Sequence, residues 1–163
     1  MQGTLINNLY QYLRENNPDL LMELEETGSV TKYLSDKVSL ADSLFELLHQ
    51  QQQPDYIIEE VCMNFLTKDI KPSRYNYICR VLEEEFEQNY IQLTESGLLK
   101  LEVCNMIKYC QPVFDGLNFS EENEDNRFVQ YAITGTISRY LYQVTSVKEN
   151  VSDELQQSTK ITG

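Results

Sequence analysis

The side chains that could do chemistry are few, and they lie far apart in the sequence. His49 is the only histidine in 163 residues, whereas catalysis by a Ser-His-Asp or Cys-His arrangement needs a histidine to carry the proton. His49 follows a helical pattern and precedes a run of glutamines, and a side chain that can become cationic is favoured near a helix C-terminus. We therefore interpret His49 as a solvated residue at a helix end, and we predict no catalytic residue and no enzymatic activity.

The four cysteines do not have the spacing of a metal site. Cys104 and Cys110 come closest to each other, but residues six apart on a helix point to different sides, and zinc sites need short fixed spacings. The loop at residues 115–125 is rich in Asp, Glu and Asn, yet its spacing does not match a calcium-binding EF-hand. We predict no metal, no cofactor and free thiols.

Acidic residues dominate the charge, with 26 Asp and Glu against 13 Lys and Arg and a net charge of −13. In the densest run, Glu83, Glu84 and Glu87 are expected together on the outer face of one helix from Pro72 to Phe86. A pair of them could serve glycosidic chemistry only in a cleft that desolvates one acid. Complementary charge also steers association, so Glu83, Glu84 and Glu87 form a candidate interaction face for a protein partner, for example a basic one.

A basic segment offers the opposite possibility. Lys68, Lys71, Arg74 and Arg80 cluster where two helices that begin near prolines are joined by a short connection, which resembles a helix-turn-helix. Residues 54–80 hold four acids as well as these four cations, so the segment is neutral within an acidic protein. An ordinary helical hairpin is therefore the preferred interpretation, and binding to nucleic acid is not expected.

Hydrophobic periodicity predicts an all-α fold, because apolar residues recur at steps of three and four and no stretch keeps a period of two. Pro54 and Pro72 suit helix starts, and Pro112 should end or kink a helix. The clearest stripe predicts one long helix and consists of Val30, Leu34, Val38, Ala41, Phe45 and Leu48. We expect a single-domain bundle of about six or seven helices.

The domain is expected to span residues 1–145, and the polar, weakly patterned residues 146–163 are expected to form a disordered tail. Gly135 lies in the middle of the last helical pattern, where a glycine costs about 1 kcal/mol relative to alanine. A close crossing by another helix of the chain would offset that cost.

Targeting signals are not evident. The first residues show no cationic stretch followed by an apolar core, and no apolar run approaches the ~20 residues that span a bilayer. With cysteines that suit a reducing compartment, these features predict a cytoplasmic protein without membrane contact.

Three groups of residues, in the same order and with similar spacing, resemble a known family. They are Tyr12 to Glu15 with Pro18 and Leu20; Pro54, Phe65, Leu66, Ser73 to Tyr75, Leu82, Glu85 and Phe86; and Pro112 to Phe114, Thr134 to Ile137, Tyr140 and Leu141. The family consists of small all-helical proteins of unknown function from Bacteroidetes, often encoded in conjugative transposons, and the resemblance covers residues 5–145. It implies a helical fold and a mobile-element setting, without catalytic residues.

Three kinds of function stay open. The preferred hypothesis is a non-enzymatic protein-interaction or accessory module of a mobile genetic element. The alternative is a nucleic-acid-related role, through weak binding by the helix-turn-helix-like segment at residues 54–90 or through mimicry of DNA by the acidic surface. An enzyme whose chemistry these patterns do not reveal is the third.

Overall fold

The structure is a computed structural model that describes residues 1–161, with side chains described through residue 159. This part of the chain contains no strand, so the prediction of an all-α single domain is confirmed. The predicted count of six or seven helices is wrong, because the described residues form nine α-helices and one 3-10 turn at Lys68–Ile70. The helices are α1 (Gln2–Asn16), α2 (Pro18–Glu26), α3 (Val30–Ser39), α4 (Asp42–Gln50), α5 (Asp55–Thr67), α6 (Arg74–Glu85), α7 (Glu87–Glu95), α8 (Leu99–Gly116) and α9 (Arg127–Ile161).

One extra helix arises where the long stripe from Val30 to Leu48 is interrupted. The backbone N–H of Ala41 donates to the carbonyl of Val38 at 3.0 Å, which closes a tight turn between α3 and α4. Ala41 itself is buried. Val38 and Ala41 are three residues apart, so the apolar residues keep their helical spacing across the turn. The sequence pattern therefore resembles that of one helix.

The other unpredicted helix is α7, which begins just after Phe86, whose φ of −135° and ψ of 50° separate it from α6. Phe86 packs partly buried against the C-terminal core, and this contact favours the bend. By contrast, α8 continues through Pro112 to Gly116, so the helix does not end at that proline. Phe114 is fully buried just beyond it, and such burial offsets the roughly 3 kcal/mol that an interior proline costs.

The helices enclose two hydrophobic clusters in succession along the chain. The N-terminal half, α1–α5, packs around the buried residues Leu5, Leu9, Leu13, Leu21, Leu34, Val38, Ala41, Ile58, Cys62 and Leu66. The C-terminal half, α6–α9, packs around Tyr77, Ile78, Val81, Leu82, Val103, Met106, Ile107, Cys110, Phe114, Val129, Ile133 and Ile137. The halves meet mainly where α2 lies against α8.

The end of α9 leaves the packed part of the molecule. From Val147 to Thr159 every described side chain is exposed, although the backbone stays helical to Ile161. Local bonds accompany this helix, such as the one from the Thr159 hydroxyl to the Leu155 carbonyl at 2.9 Å. Residues 162–163 lie outside the described residues, and the division between a domain at 1–145 and a tail remains a prediction. No helix within residues 1–161 combines the length and apolarity needed to cross a membrane.

Gly135 does not lie at a crossing within the chain, so that expectation is wrong. A Cβ atom added at Gly135 would meet no atom within 4 Å, because the residue lies on the exposed side of α9.

Gly135→Ala should therefore raise the free energy of unfolding by about 1 kcal/mol, through the better helix propensity of alanine. In a domain of this size the melting temperature should rise by about 2–4 °C. Gly28→Ala is the matched control, because Gly28 also has open space but a φ of +66°. The free energy of unfolding of Gly28→Ala should fall by about 1 kcal/mol, because alanine is strained at a positive φ. A lower melting temperature for Gly135→Ala would contradict the prediction.

Candidate functional site

A polar cleft of about 740 Å³ lies between the two helical halves. Its walls come from α2, from the connection between α5 and α6, and from α8. Three acids of α2 line it, together with three cations from the other elements: Asp19, Glu23, Glu26, Lys71, Arg74 and Lys108. The volume falls in the range of roughly 300–1,000 Å³ that is usual for ligand pockets.

A small hydrogen-bond network fixes the two halves at this cleft. Ser73 caps the N-terminus of α6, where its hydroxyl accepts a hydrogen bond from the backbone N–H of Asn76 at 3.0 Å. The same hydroxyl donates to the carbonyl of Asn16 at the end of α1. The Asn76 amide donates to the Asn16 side chain at 2.9 Å. The Asn17 amide donates to the Ile70 carbonyl at 3.3 Å. The start of α2 and the start of α6 are thereby held next to each other.

Asn17 carries an unsatisfied polar atom at this junction. The residue is 8% exposed, and its Oδ1 atom is buried without a hydrogen-bond partner. A buried acceptor without a donor costs about 1–3 kcal/mol. Although Asn17 lines the cleft, this oxygen is itself inaccessible to solvent.

The acids of α2 form a stripe along the cleft. Asp19, Glu23 and Glu26 follow at i, i+4 and i+7, so they share one side of the helix. Among the described residues, none of the three lies within 4.0 Å of a cationic nitrogen. Burial raises the pKa of the Asp19 carboxyl, although the backbone N–H groups of Asp19 and Leu20 and the charge of Arg74 oppose this. The stripe therefore presents negative charge that no described side chain neutralises by direct contact.

The three cations around the cleft differ in how firmly neighbouring side chains of the protein hold them. The Arg74 guanidinium pairs with Asp115 at 2.7 Å and lies 4.9 Å from the centre of the Phe114 ring. The Lys71 ammonium lies 5.9 Å from the centre of the Tyr12 ring. Lys108 is exposed on α8. Arg74 is thus held in place by the C-terminal half, whereas the two lysines have more freedom.

The four predicted nucleic-acid residues do not form one surface. Lys71 and Arg74 reach the cleft, and Lys68 lies exposed in the 3-10 turn. Arg80 lies 5.3 Å from the centre of the Tyr77 ring, in a separate hollow that Glu84 also lines. Moreover, α5 packs in the N-terminal half and α6 in the C-terminal half, so they form neither a helix-turn-helix nor the expected helical hairpin. Nothing here favours nucleic-acid binding.

The predicted acidic face is divided between two helices. Glu83 and Glu84 lie near the end of α6, whereas Glu87 begins α7 beyond the break at Phe86. The expectation that one helix carries all three is wrong, because a periodicity argument assumes that the helix continues. All three side chains are exposed, and none lines the cleft. Whether they contact a partner remains a prediction.

The remaining candidates for chemistry are His49 and the four cysteines. His49 is exposed and stacks on Phe45, with ring centres 5.8 Å apart. The four cysteines are free thiols. Cys104 borders the cleft, but burial raises its pKa to about 11, so it is a protonated thiol at neutral pH. Within the described residues, no group of three His, Cys, Asp or Glu side chains is placed to hold a metal ion.

Five of the residues that line the cleft were not predicted as site residues, namely Asn17, Asp19, Glu23, Glu26 and Lys108. The sequence did contain one indication of this site, because the spacing of Asp19, Glu23 and Glu26 places them on one side of α2. That spacing does not show which neighbouring element the acids face, and the contact between α2 and α8 joins residues more than 70 positions apart.

A family model for a domain of unknown function, DUF1896, matches residues 6–145. No curated protein and no solved structure gives a significant match. The matched range includes the whole of the cleft and ends within α9.

Proposed function

The chain belongs to the DUF1896 family of domains of unknown function, and we propose that it is a non-enzymatic protein-interaction module that binds a basic segment of a partner in the cleft. The observation that carries this proposal is the stripe of Asp19, Glu23 and Glu26, which faces a cavity and has no ion-pair partner among the described residues. Lysine or arginine side chains of a partner would supply the missing positive charge.

A further feature of the cleft supports a peptide-like ligand. The cations Lys71 and Lys108 could receive a carboxylate or a carbonyl group from the same segment. A peptide carries donors, acceptors and charge together, so it matches a cleft with mixed lining better than an apolar molecule does.

The biological setting is part of the proposal. The resemblance to proteins of conjugative transposons supports a role as an accessory protein of a mobile genetic element. A partner encoded by such an element is therefore the expected result when the tagged protein is purified from its native host and the co-purifying proteins are identified.

The test compares two sets of substitutions that change the net charge equally. Asp19→Asn, Glu23→Gln and Glu26→Gln together remove the three negative charges of α2 from the cleft, whereas Glu83→Gln, Glu84→Gln and Glu87→Gln remove those of the outer acids. We expect the cleft variant to lose the co-purifying partner and the outer variant to retain it, with both melting curves close to that of the wild type. Calorimetry with the recovered partner should show tighter binding at low salt, because the contact is between opposite charges.

Each result assigns the contact differently. Partner loss only in the outer variant would move the contact to Glu83, Glu84 and Glu87. Full recovery with both variants would remove both acidic surfaces from consideration and contradict the proposal.

A further inference from the structure

Helix α9 has two sides of opposite character. On one side Val129, Ile133 and Ile137 are buried in the core of the C-terminal half. The other side carries Phe128, Tyr131 and Tyr142, whose side chains are 68%, 68% and 74% exposed. Together with Gly135 and Arg139 they lie within about 80° of the helix circumference, since successive residues are about 100° apart. These five residues are termed the aromatic face.

The centre of the aromatic face is open. Gly135 lies between the aromatic residues, and a Cβ added there would meet no atom within 4 Å. Nothing within the described chain therefore offsets the roughly 1 kcal/mol that a mid-helix glycine costs. A glycine does allow another backbone to approach closely, and exposed tyrosine, phenylalanine and arginine are enriched where proteins bind each other.

The charge around this face also differs from that of the rest of the molecule. Residues 127–147 contain Arg127 and Arg139 but no Asp or Glu, in a chain with 26 acids. Among the described residues neither arginine lies within 4.0 Å of a carboxylate. A chain with a net charge of −13 repels its own copies through its acidic surfaces. The aromatic face itself contributes no acid to that repulsion.

We propose that the aromatic face binds the same face of a second copy of this chain, with the two α9 helices crossing antiparallel at Gly135. The sequence is complementary about this point. Phe128 and Tyr142 each lie seven residues from Gly135, on opposite sides, so a two-fold axis there pairs Phe128 of one copy with Tyr142 of the other.

The same two-fold axis places Arg139 of one copy opposite an aromatic ring of the other. Tyr131 and Arg139 each lie four residues from Gly135, so Arg139 of one copy is opposite Tyr131 of the other and can lie over its ring as a cation–π pair. Arg127 is likewise opposite the neutral Gln143. Tyr131, Gly135 and Arg139 form a ridge at spacing i, i+4, which is the row used in the commonest class of helix packing.

The size of the contact indicates a weak dimer. Each aromatic side chain can bury about 150–250 Å², so the exposed parts of three per copy supply roughly 600–1,000 Å² in total. Specific interfaces start at about 1,000 Å², and neighbouring residues on α9 add to the area. We expect a dissociation constant of the order of 10 μM.

The test is the oligomeric state of the full chain by sedimentation equilibrium between about 1 and 200 μM, a range that brackets the expected constant. The wild type should change from monomer to dimer across this range. Gly135→Leu should keep the monomer folded, because the site is open and leucine favours the helix, but the side chain should hold the helices apart and weaken dimerisation at least ~10-fold. Gly3→Leu is the matched control, since Gly3 also lies in a helix with open space.

The register has its own test. Tyr131→Ala should weaken the dimer, whereas Tyr56→Ala, at a tyrosine 69% exposed on α5, should not. Arg139→Glu should also weaken it, and adding Tyr131→Arg should restore it, because the two new side chains would be opposite each other and oppositely charged. A wild type that stays monomeric at 200 μM would overturn the proposal. A dimer that Gly135→Leu leaves unchanged, or that the double substitution fails to restore, would overturn the crossing at this face.

Discussion

Phe114→Ala should lower the free energy of unfolding by about 3–5 kcal/mol, the usual loss for a large aromatic residue in a core. The Phe114 side chain is fully buried. Its ring meets the Phe119 ring edge-on at 4.8 Å and the Tyr77 ring at 6.0 Å, and the Arg74 guanidinium lies over it at 4.9 Å. The substitution would open a cavity and also remove the support of a cation that borders the cleft.

Urea unfolding measures this loss, and Tyr56→Ala is the control. Tyr56 is 69% exposed, so its removal should change the free energy of unfolding by less than about 0.5 kcal/mol. If Phe114→Ala costs less than about 1 kcal/mol, the packing described for the C-terminal half is not that of the protein in solution.

Alkaline pH should destabilise the protein strongly, because two buried thiols keep their protons in the folded state. Burial raises the pKa of Cys104 from 9.0 to about 11 and that of Cys110 from 9.0 to about 12. Above pH 9 the unfolded chain releases these protons and the folded chain does not, so stability falls as the pH rises. Between its unfolded and folded pKa values each thiol contributes a loss of up to about 1.4 kcal/mol per pH unit, so the pair costs about 4 kcal/mol between pH 9 and pH 11.

The measurement is urea unfolding under reducing conditions at pH 7, 9, 10 and 11. Burial also raises the pKa of Cys62, Cys79, Tyr75 and Tyr140, so some alkaline loss of stability should persist in the double cysteine variant. The double variant Cys104→Ala and Cys110→Ala should have a lower free energy of unfolding than the wild type at pH 7. Between pH 9 and pH 11, however, its free energy of unfolding should fall much less than that of the wild type. If the free energy of unfolding of the variant falls with pH as steeply as that of the wild type, these two thiols do not cause the alkaline loss of stability.

Several features of the candidate site were within reach of sequence reasoning, and others were not. The free cysteines and the exposed His49 were predicted correctly, because their spacing and surroundings gave them no partners for chemistry. The grouping of Lys68, Lys71, Arg74 and Arg80 was wrong, since proximity along the chain does not place side chains on one surface. Asp19, Glu23 and Glu26 went unnoticed, although they share one helix side, because acids on a surface helix usually face only solvent.

The sequence by itself determined that the described chain is helical and, for several helices, which side faces the core. Stripes such as Val129, Ile133 and Ile137 require a 3.6-residue period, and local backbone chemistry then forms the helices. Only the tertiary structure decided where helices break without proline or glycine, as at Ala41 and Phe86, because apolar spacing continues through a tight turn. It also decided that Gly135 is exposed and that α2 and α8 enclose a cleft, since periodicity marks the buried side of a helix but not the element that covers it.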